Sequence, residues 1–107
     1  MYWQKVSLKD TIKRLLPEAK QNSVNENGKI IFENNNSNIQ VVYDLFGNYF
    51  RIQDKNIPMS NRSAYLDLNG KNTQNIKENG TYRGMTKKEF QAFTHYANID
   101  DMSNWSL

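Results

Sequence analysis

Ile39-Gln40-Val41-Val42-Tyr43-Asp44-Leu45-Phe46-Gly47-Asn48-Tyr49-Phe50-Arg51-Ile52 reads as two strands joined by a tight turn. β-Branched and aromatic residues fill both arms, and such residues suit a pleated, half-buried surface. Asp44-Leu45-Phe46-Gly47 has Asp first and Gly fourth, the pattern of a type I turn with glycine in the left-handed position. That turn pairs Asp44 with Asn48, Tyr43 with Tyr49, Val42 with Phe50 and Val41 with Arg51. Side chains alternate between faces along a strand, so Val42, Phe50 and Ile52 are expected on the core side. Val41, Tyr43, Tyr49 and Arg51 are expected opposite, on a face that reads as a wet working surface.

Working outward, Lys29–Glu33 (KIIFE) reads as a strand, and Asn34, Asn35, Asn36 and Asn38 turn it back into Ile39. The polar segment 21–28 ends in Asn27-Gly28, a turn signal. Nearer the N-terminus, Ser7 is placed to cap a helix, with Asp10 three residues on. Leu8, Ile12, Leu15 and Leu16 form its apolar stripe, and Pro17 stops it near Leu16.

Downstream, 54–63 reads as a polar loop. Residues 64–68 (AYLDL) read as a strand, with Ala64, Leu66 and Leu68 inward, Tyr65 and Asp67 outward, and Asn69-Gly70 closing it. Segment 71–84 is polar and basic, either a long loop or an edge hairpin. Thr86-Lys87-Lys88-Glu89 is a capping box that opens a short helix with Phe90 and Phe93 on its buried side, and Thr94-His95-Tyr96 lies at or just past its end. The expected fold is α+β, an N-terminal helix packed on a twisted antiparallel meander with a short C-terminal helix.

At 107 residues the chain has the size of a single domain, 1–107. Hydrophobic residues at 37% and aromatics at 12% suffice for one core, and the mean hydropathy of −0.85 owes much to asparagine. No cysteine is present, which excludes a disulfide framework, a thiol nucleophile and Cys-ligated metal. A single histidine excludes a His-rich metal centre, and no motif marks a carboxylate metal site; neither metal nor cofactor is expected. No apolar run approaches the ~20 residues that span a bilayer, and no signal-peptide core opens the chain. Either the domain is cytosolic, or it belongs to a longer chain targeted by other segments. The net charge of +3 and pI near 9.2 lean toward anionic partners, nucleic acid first.

His95 is the one side chain whose unperturbed titration falls near neutrality. RNA cleavage through the 2′-hydroxyl needs a base, an acid and cations for the phosphorane, and one histidine with tyrosine, lysine or arginine helpers supplies these. The plainer reading makes His95 a cation finishing a helix. Arg51 is either a phosphate clamp or a solvated cross-strand partner, while Tyr43 and Tyr49 are placed to stack unpaired bases. Arg62, Lys71, Arg83, Lys87 and Lys88 are candidate substrate contacts, each also readable as an ordinary solubilising charge. Asp44 and Asp67 read as an acid pair or, more simply, as turn caps. No P-loop, dinucleotide fingerprint, nucleophile elbow or zincin motif occurs.

Gly47-Asn48-Tyr49-Phe50-Arg51-Ile52, then Tyr65-Leu66-Asp67-Leu68-Asn69-Gly70, and finally Thr94-His95-Tyr96 carry a likeness. Over about residues 28 to 98 the chain resembles the C-terminal toxin domains of contact-dependent inhibition and related polymorphic toxins. Within those it is most similar to the small metal-independent ribonucleases of the barnase–EndoU–colicin–RelE (BECR) class. The resemblance implies a tRNA-cleaving toxin delivered as part of a larger protein, acting in the target-cell cytoplasm and neutralised by an acidic immunity protein. It implies His95 as general acid/base with Thr94 or Tyr96 beside it, and Arg51 as the phosphate-binding cation. Barnase-like members also use a glutamate as base, and no glutamate here takes a matching strand position. Three rivals stand beside it: an immunity protein or other binding module, a DNase, and a non-catalytic RNA-binding domain.

Overall fold

The computed structural model describes residues 3–21, 27–72 and 75–103. Most of segment 21–28, and 73–74 of the basic segment, lie outside the described residues. The chain runs through β1 (Gln4–Val6), α1 (Leu8–Leu15), β2 (Lys20–Gln21), β3 (Lys29–Glu33), β4 (Ile39–Asp44) and β5 (Tyr49–Asp54). A 3-10 turn over Arg62–Ala64 leads to β6 (Tyr65–Leu66); then come β7 (Asn75–Glu78), β8 (Thr81–Gly84), α2 (Lys87–Thr94) and β9 (Tyr96–Asn98). Seven strands make one sheet in the order β1-β9-β5-β4-β3-β2, with β6 also on β5. The β1–β9 pairing is parallel and the others in the sheet are antiparallel. The fold is the expected α+β arrangement, with the N-terminal helix on the sheet and a short helix near the C-terminus.

Helix α1 forms where its caps and stripe predict. The Ser7 hydroxyl accepts the Asp10 N–H, and the Leu16 N–H closes onto the Ile12 carbonyl at 2.7 Å, just before Pro17. Leu8, Ile12 and Leu16 are buried against Ile30, Phe32, Val41, Tyr43, Phe50, Ile52, Leu66 and Tyr96. Each such side chain contributes about 2 kcal/mol of transfer free energy.

The β4–β5 register differs from the expected one by one residue. Asp44 pairs with Tyr49, Tyr43 with Phe50, Val42 with Arg51 and Val41 with Ile52. The loop therefore holds Leu45, Phe46, Gly47 and Asn48, and Asn48 rather than Gly47 takes the left-handed conformation, at φ 53°. Asparagine tolerates that region. The Asp44 carboxylate caps the loop by accepting the Phe46 and Gly47 N–H groups at 3.0 and 2.9 Å, and the Asn48 N–H reaches the Asp44 carbonyl at 2.8 Å. Because strand side chains alternate, this single step exchanges the faces of β4. Val41 and Tyr43 enter the core, while Val42 joins Tyr49 and Arg51 on the opposite face.

Other boundaries also move. Asp54 ends β5 instead of opening the loop, and the expected strand over 64–68 contracts to Tyr65–Leu66, though Ala64 and Leu66 are buried as anticipated. Segment 71–84 contains the hairpin, β7 with β8, turning through Asn79 and Gly80 at φ 52° and 82°. The capping box of α2 is present in full, with Thr86 and Glu89 serving each other's backbone. Phe90 is buried, but Phe93 is 47% exposed. The inward line of α2 runs through Phe90 and Thr94, which puts Phe93 about 100° around the helix from Thr94. Phe90 meets Tyr65 and lies 5.9 Å from the Arg51 guanidinium, so α2 covers the face opposite α1. Among the described residues no helix is long and apolar enough to cross a membrane.

Candidate active site

The face beneath α2 gathers side chains from four elements. Lys29 (β3), Asp44 (β4) and Tyr49 (β5) form one cross-strand row, with Ala97 (β9) next to Tyr49. Lys29 Nζ donates to Asp44 Oδ2 at 2.6 Å and to the Tyr49 hydroxyl at 3.4 Å, and lies 5.3 Å from the Tyr49 ring centre. Burial opposes the Lys29 charge, yet the bonds to Asp44 and Tyr49 outweigh it and raise its pKa. The same Lys29 bond, against some burial and helped by the Gly47 N–H, holds Asp44 below the usual carboxylate value. Asp44 is thus a fixed anion with both oxygens engaged.

His95 caps the C-terminal end of α2 and packs back over this row. Its ring stacks on Trp3 at 4.8 Å and 19°, and tilts against Tyr49 at 5.4 Å. His95 Nδ1 lies 2.7 Å from the Gln91 carbonyl oxygen. A carbonyl only accepts, so Nδ1 carries a proton and the lone pair of the neutral ring sits on Nε2. Nε2 makes no hydrogen bond among the described residues. Burial first, then the charge of Arg51, lower the His95 pKa; Lys29 adds to the effect and the Gln91 bond opposes it. The ring is neutral at pH 7 with a fixed tautomer, the state a general base requires.

Arg51 lies two residues beyond Tyr49 on the same face, about 7 Å along the strand. Its guanidinium carbon sits 3.6 Å from the Tyr65 ring centre. Its Nε is buried and makes no hydrogen bond among the described residues. Burial lowers its pKa, partly opposed by Tyr65 and Tyr49, but a guanidinium stays charged. A half-buried cation with no acidic partner among the described residues is a ready receptor for an anion.

The candidates named from sequence separate into two groups. His95, Tyr49 and Arg51 come together, and Lys87 and Lys88 line an adjoining groove with Trp3. Arg62 stacks on Phe90 at 4.9 Å and donates to the Met85 carbonyl. Arg83 is engaged by Glu89 and Glu78. Lys71 lines a separate cleft with Ile39 and Asp54, at the other end of β5. Thr94 is fully buried and its hydroxyl donates back to the Phe90 carbonyl at 2.6 Å. Tyr96 is buried on the core face, its hydroxyl donating to the Phe93 carbonyl at 2.8 Å. Tyr43 is 1% exposed and donates to Asn48 Oδ1. Those three serve the core, so no base stacks on Tyr43; the Tyr49 ring is itself flanked by Trp3, His95 and Lys29. Asp67 caps its own turn, accepting the Asn69 and Lys71 N–H groups.

Trp3, Lys29, Tyr65 and the Gln91 carbonyl were missed from sequence. Gln91 had a signal: the capping box sets the helix, and His95 follows Gln91 by one helical turn. Trp3 had none, because nothing local announces that β1 pairs with β9. Among the described residues no three His, Cys, Asp or Glu side chains come together. Compared with models of known protein families, with curated proteins and with solved structures, this chain finds no match.

Proposed function

We propose that this domain is a ribonuclease that cuts RNA by attack of the 2′-hydroxyl on the adjacent phosphorus, without metal. One observation carries the reading: a buried histidine whose Nδ1 is pinned to the Gln91 carbonyl and whose Nε2 makes no hydrogen bond among the described residues, beside an arginine that has no acidic partner among them. His95 Nε2 takes the 2′-hydroxyl proton, the 2′-oxygen bonds to phosphorus, and the bond to the 5′-oxygen breaks. Arg51 binds the phosphate and its developing charge. The Tyr49 hydroxyl, which accepts from Lys29, gives its proton to the departing 5′-oxygen, and Lys29 then faces the phenolate. The products are a 2′,3′-cyclic phosphate and a 5′-hydroxyl, after which solvent carries the His95 proton back to Tyr49.

The biological setting follows from the sequence resemblance: a toxin delivered within a larger chain, with tRNA as target and an acidic immunity protein as partner for its basic surface. Expression from a repressed promoter tests it, beside His95→Phe, which keeps a ring between Trp3 and Tyr49. Growth arrest with discrete tRNA or rRNA fragments from the parent alone supports the reading. Intact RNA and normal growth in both cultures overturn it. A second reading, RNA binding without cleavage, is favoured by the packing of His95 between Trp3 and Tyr49, and predicts bound but uncut RNA from both proteins.

A further inference from the structure

The groove beside His95 has a shape and lining that the cleavage scheme does not use. It encloses about 450 Å³ between Trp3 and one face of α2, lined by Trp3, Lys87, Lys88, Gln91 and Ala92. The α2 residues fall one turn apart, and His95 lies one turn beyond Gln91, so the groove leads along the helix to the catalytic ring. Trp3 is 37% exposed, and its indole also stacks on His95.

We infer that this groove is a subsite for one unpaired RNA nucleotide, its base stacked on Trp3 and its phosphate held by Lys87 and Lys88. Five features argue for it. An exposed indole offers a π-face to any base, as in single-strand binding generally. Lys87 and Lys88, the first two residues of α2, put two positive charges on the groove wall. Lys87 lies eight residues before His95, about 12 Å of helix rise, so it meets a different phosphate from one bound beside His95. The volume is within the range of small-molecule sites, and Gln91 brings a side-chain donor and acceptor to the base edge. A base in a duplex is stacked on its neighbours and unavailable to Trp3, so the site selects unpaired RNA.

The inference rests on the RNA reading but not on cleavage, and the test keeps the two apart. The probe is a fluorescein-labelled 2′-O-methyl RNA octamer, whose blocked 2′-oxygen prevents cutting, measured by anisotropy as a single strand and as a duplex. The single strand binds the parent and the duplex binds at least tenfold more weakly. Trp3→Ala loses about ten- to a hundredfold in affinity, in line with base stacking, and Trp3→Phe retains part of it. Lys87→Gln with Lys88→Gln, two exposed changes outside the core, weakens binding and lowers its salt dependence. Equal binding of single strand and duplex overturns the subsite, as does parent-like affinity in both Trp3→Ala and the double lysine variant. Octamer binding without any RNA cutting by the parent overturns the cleavage reading and leaves the subsite standing.

Discussion

Tyr43→Phe separates the observed β4–β5 register from the one with a three-residue loop. The Tyr43 hydroxyl donates to Asn48 Oδ1 at 2.6 Å, and Asn98 Nδ2 donates to the same oxygen at 3.2 Å. Removing the hydroxyl leaves that acceptor with one partner, so the cost is the net value of one hydrogen bond, about 1 kcal/mol, rather than that of an orphaned group. In a domain of 107 residues that lowers Tm by about 5 °C. The phenyl ring stays in the core, sparing the ~3–5 kcal/mol that truncation to alanine costs. Calorimetry should record this shift, while RNA cleavage below Tm stays at the parent rate. Tyr49→Phe should do the reverse, sparing packing and slowing cleavage by ~100-fold or more. An unchanged Tm for Tyr43→Phe together with weakened RNA affinity would place Tyr43 on the open face and refute the register.

Three further expectations follow from the geometry. His95 has a pKa below its ordinary 6.5 in the fold, so the unfolded chain binds more protons between the two values; stability is full above 6.5 and falls as pH drops through it. An NMR titration of the ring should show that low value, and Arg51→Met should raise it. Thr86→Ala breaks the capping box and should destabilise the domain by about 1 kcal/mol, with cleavage falling as the His95 end of α2 loosens, measured by urea titration and an RNA assay. Gly28 sits at φ +73°, with the Phe46 ring 2.6 Å from where a Cβ would stand. Phe46 is largely exposed and can swing aside, so the backbone sets the cost of Gly28→Ala at about 1 kcal/mol or more, again readable by denaturant unfolding.

Local signals were legible wherever they were dense. KIIFE and IQVVYD become β3 and β4 with the bounds read from sequence, because an asparagine run and alternating apolar residues mark both. The caps Ser7 and Thr86 name their helices for the same reason. The register was not legible, since Gly47 and Asn48 both tolerate turn conformations and the choice between them rests on Asp44 capping the loop. Strand β9 escaped notice because Tyr96–Asn98 is too short to show alternation, and it is stabilised by pairing with β5 and β1 rather than by propensity. Hence His95 and Arg51 could be singled out from sequence as candidates, whereas Trp3 and Lys29 are brought beside them by tertiary pairing across the chain.

Incubating the purified domain with total tRNA in EDTA, followed by analysis of the fragment ends, tests the central claim most directly. The account predicts fragments ending in 2′,3′-cyclic phosphate and beginning with 5′-hydroxyl, formed at least ~100-fold more slowly by His95→Phe. Intact tRNA with the parent protein, or equal cutting by both, would contradict it.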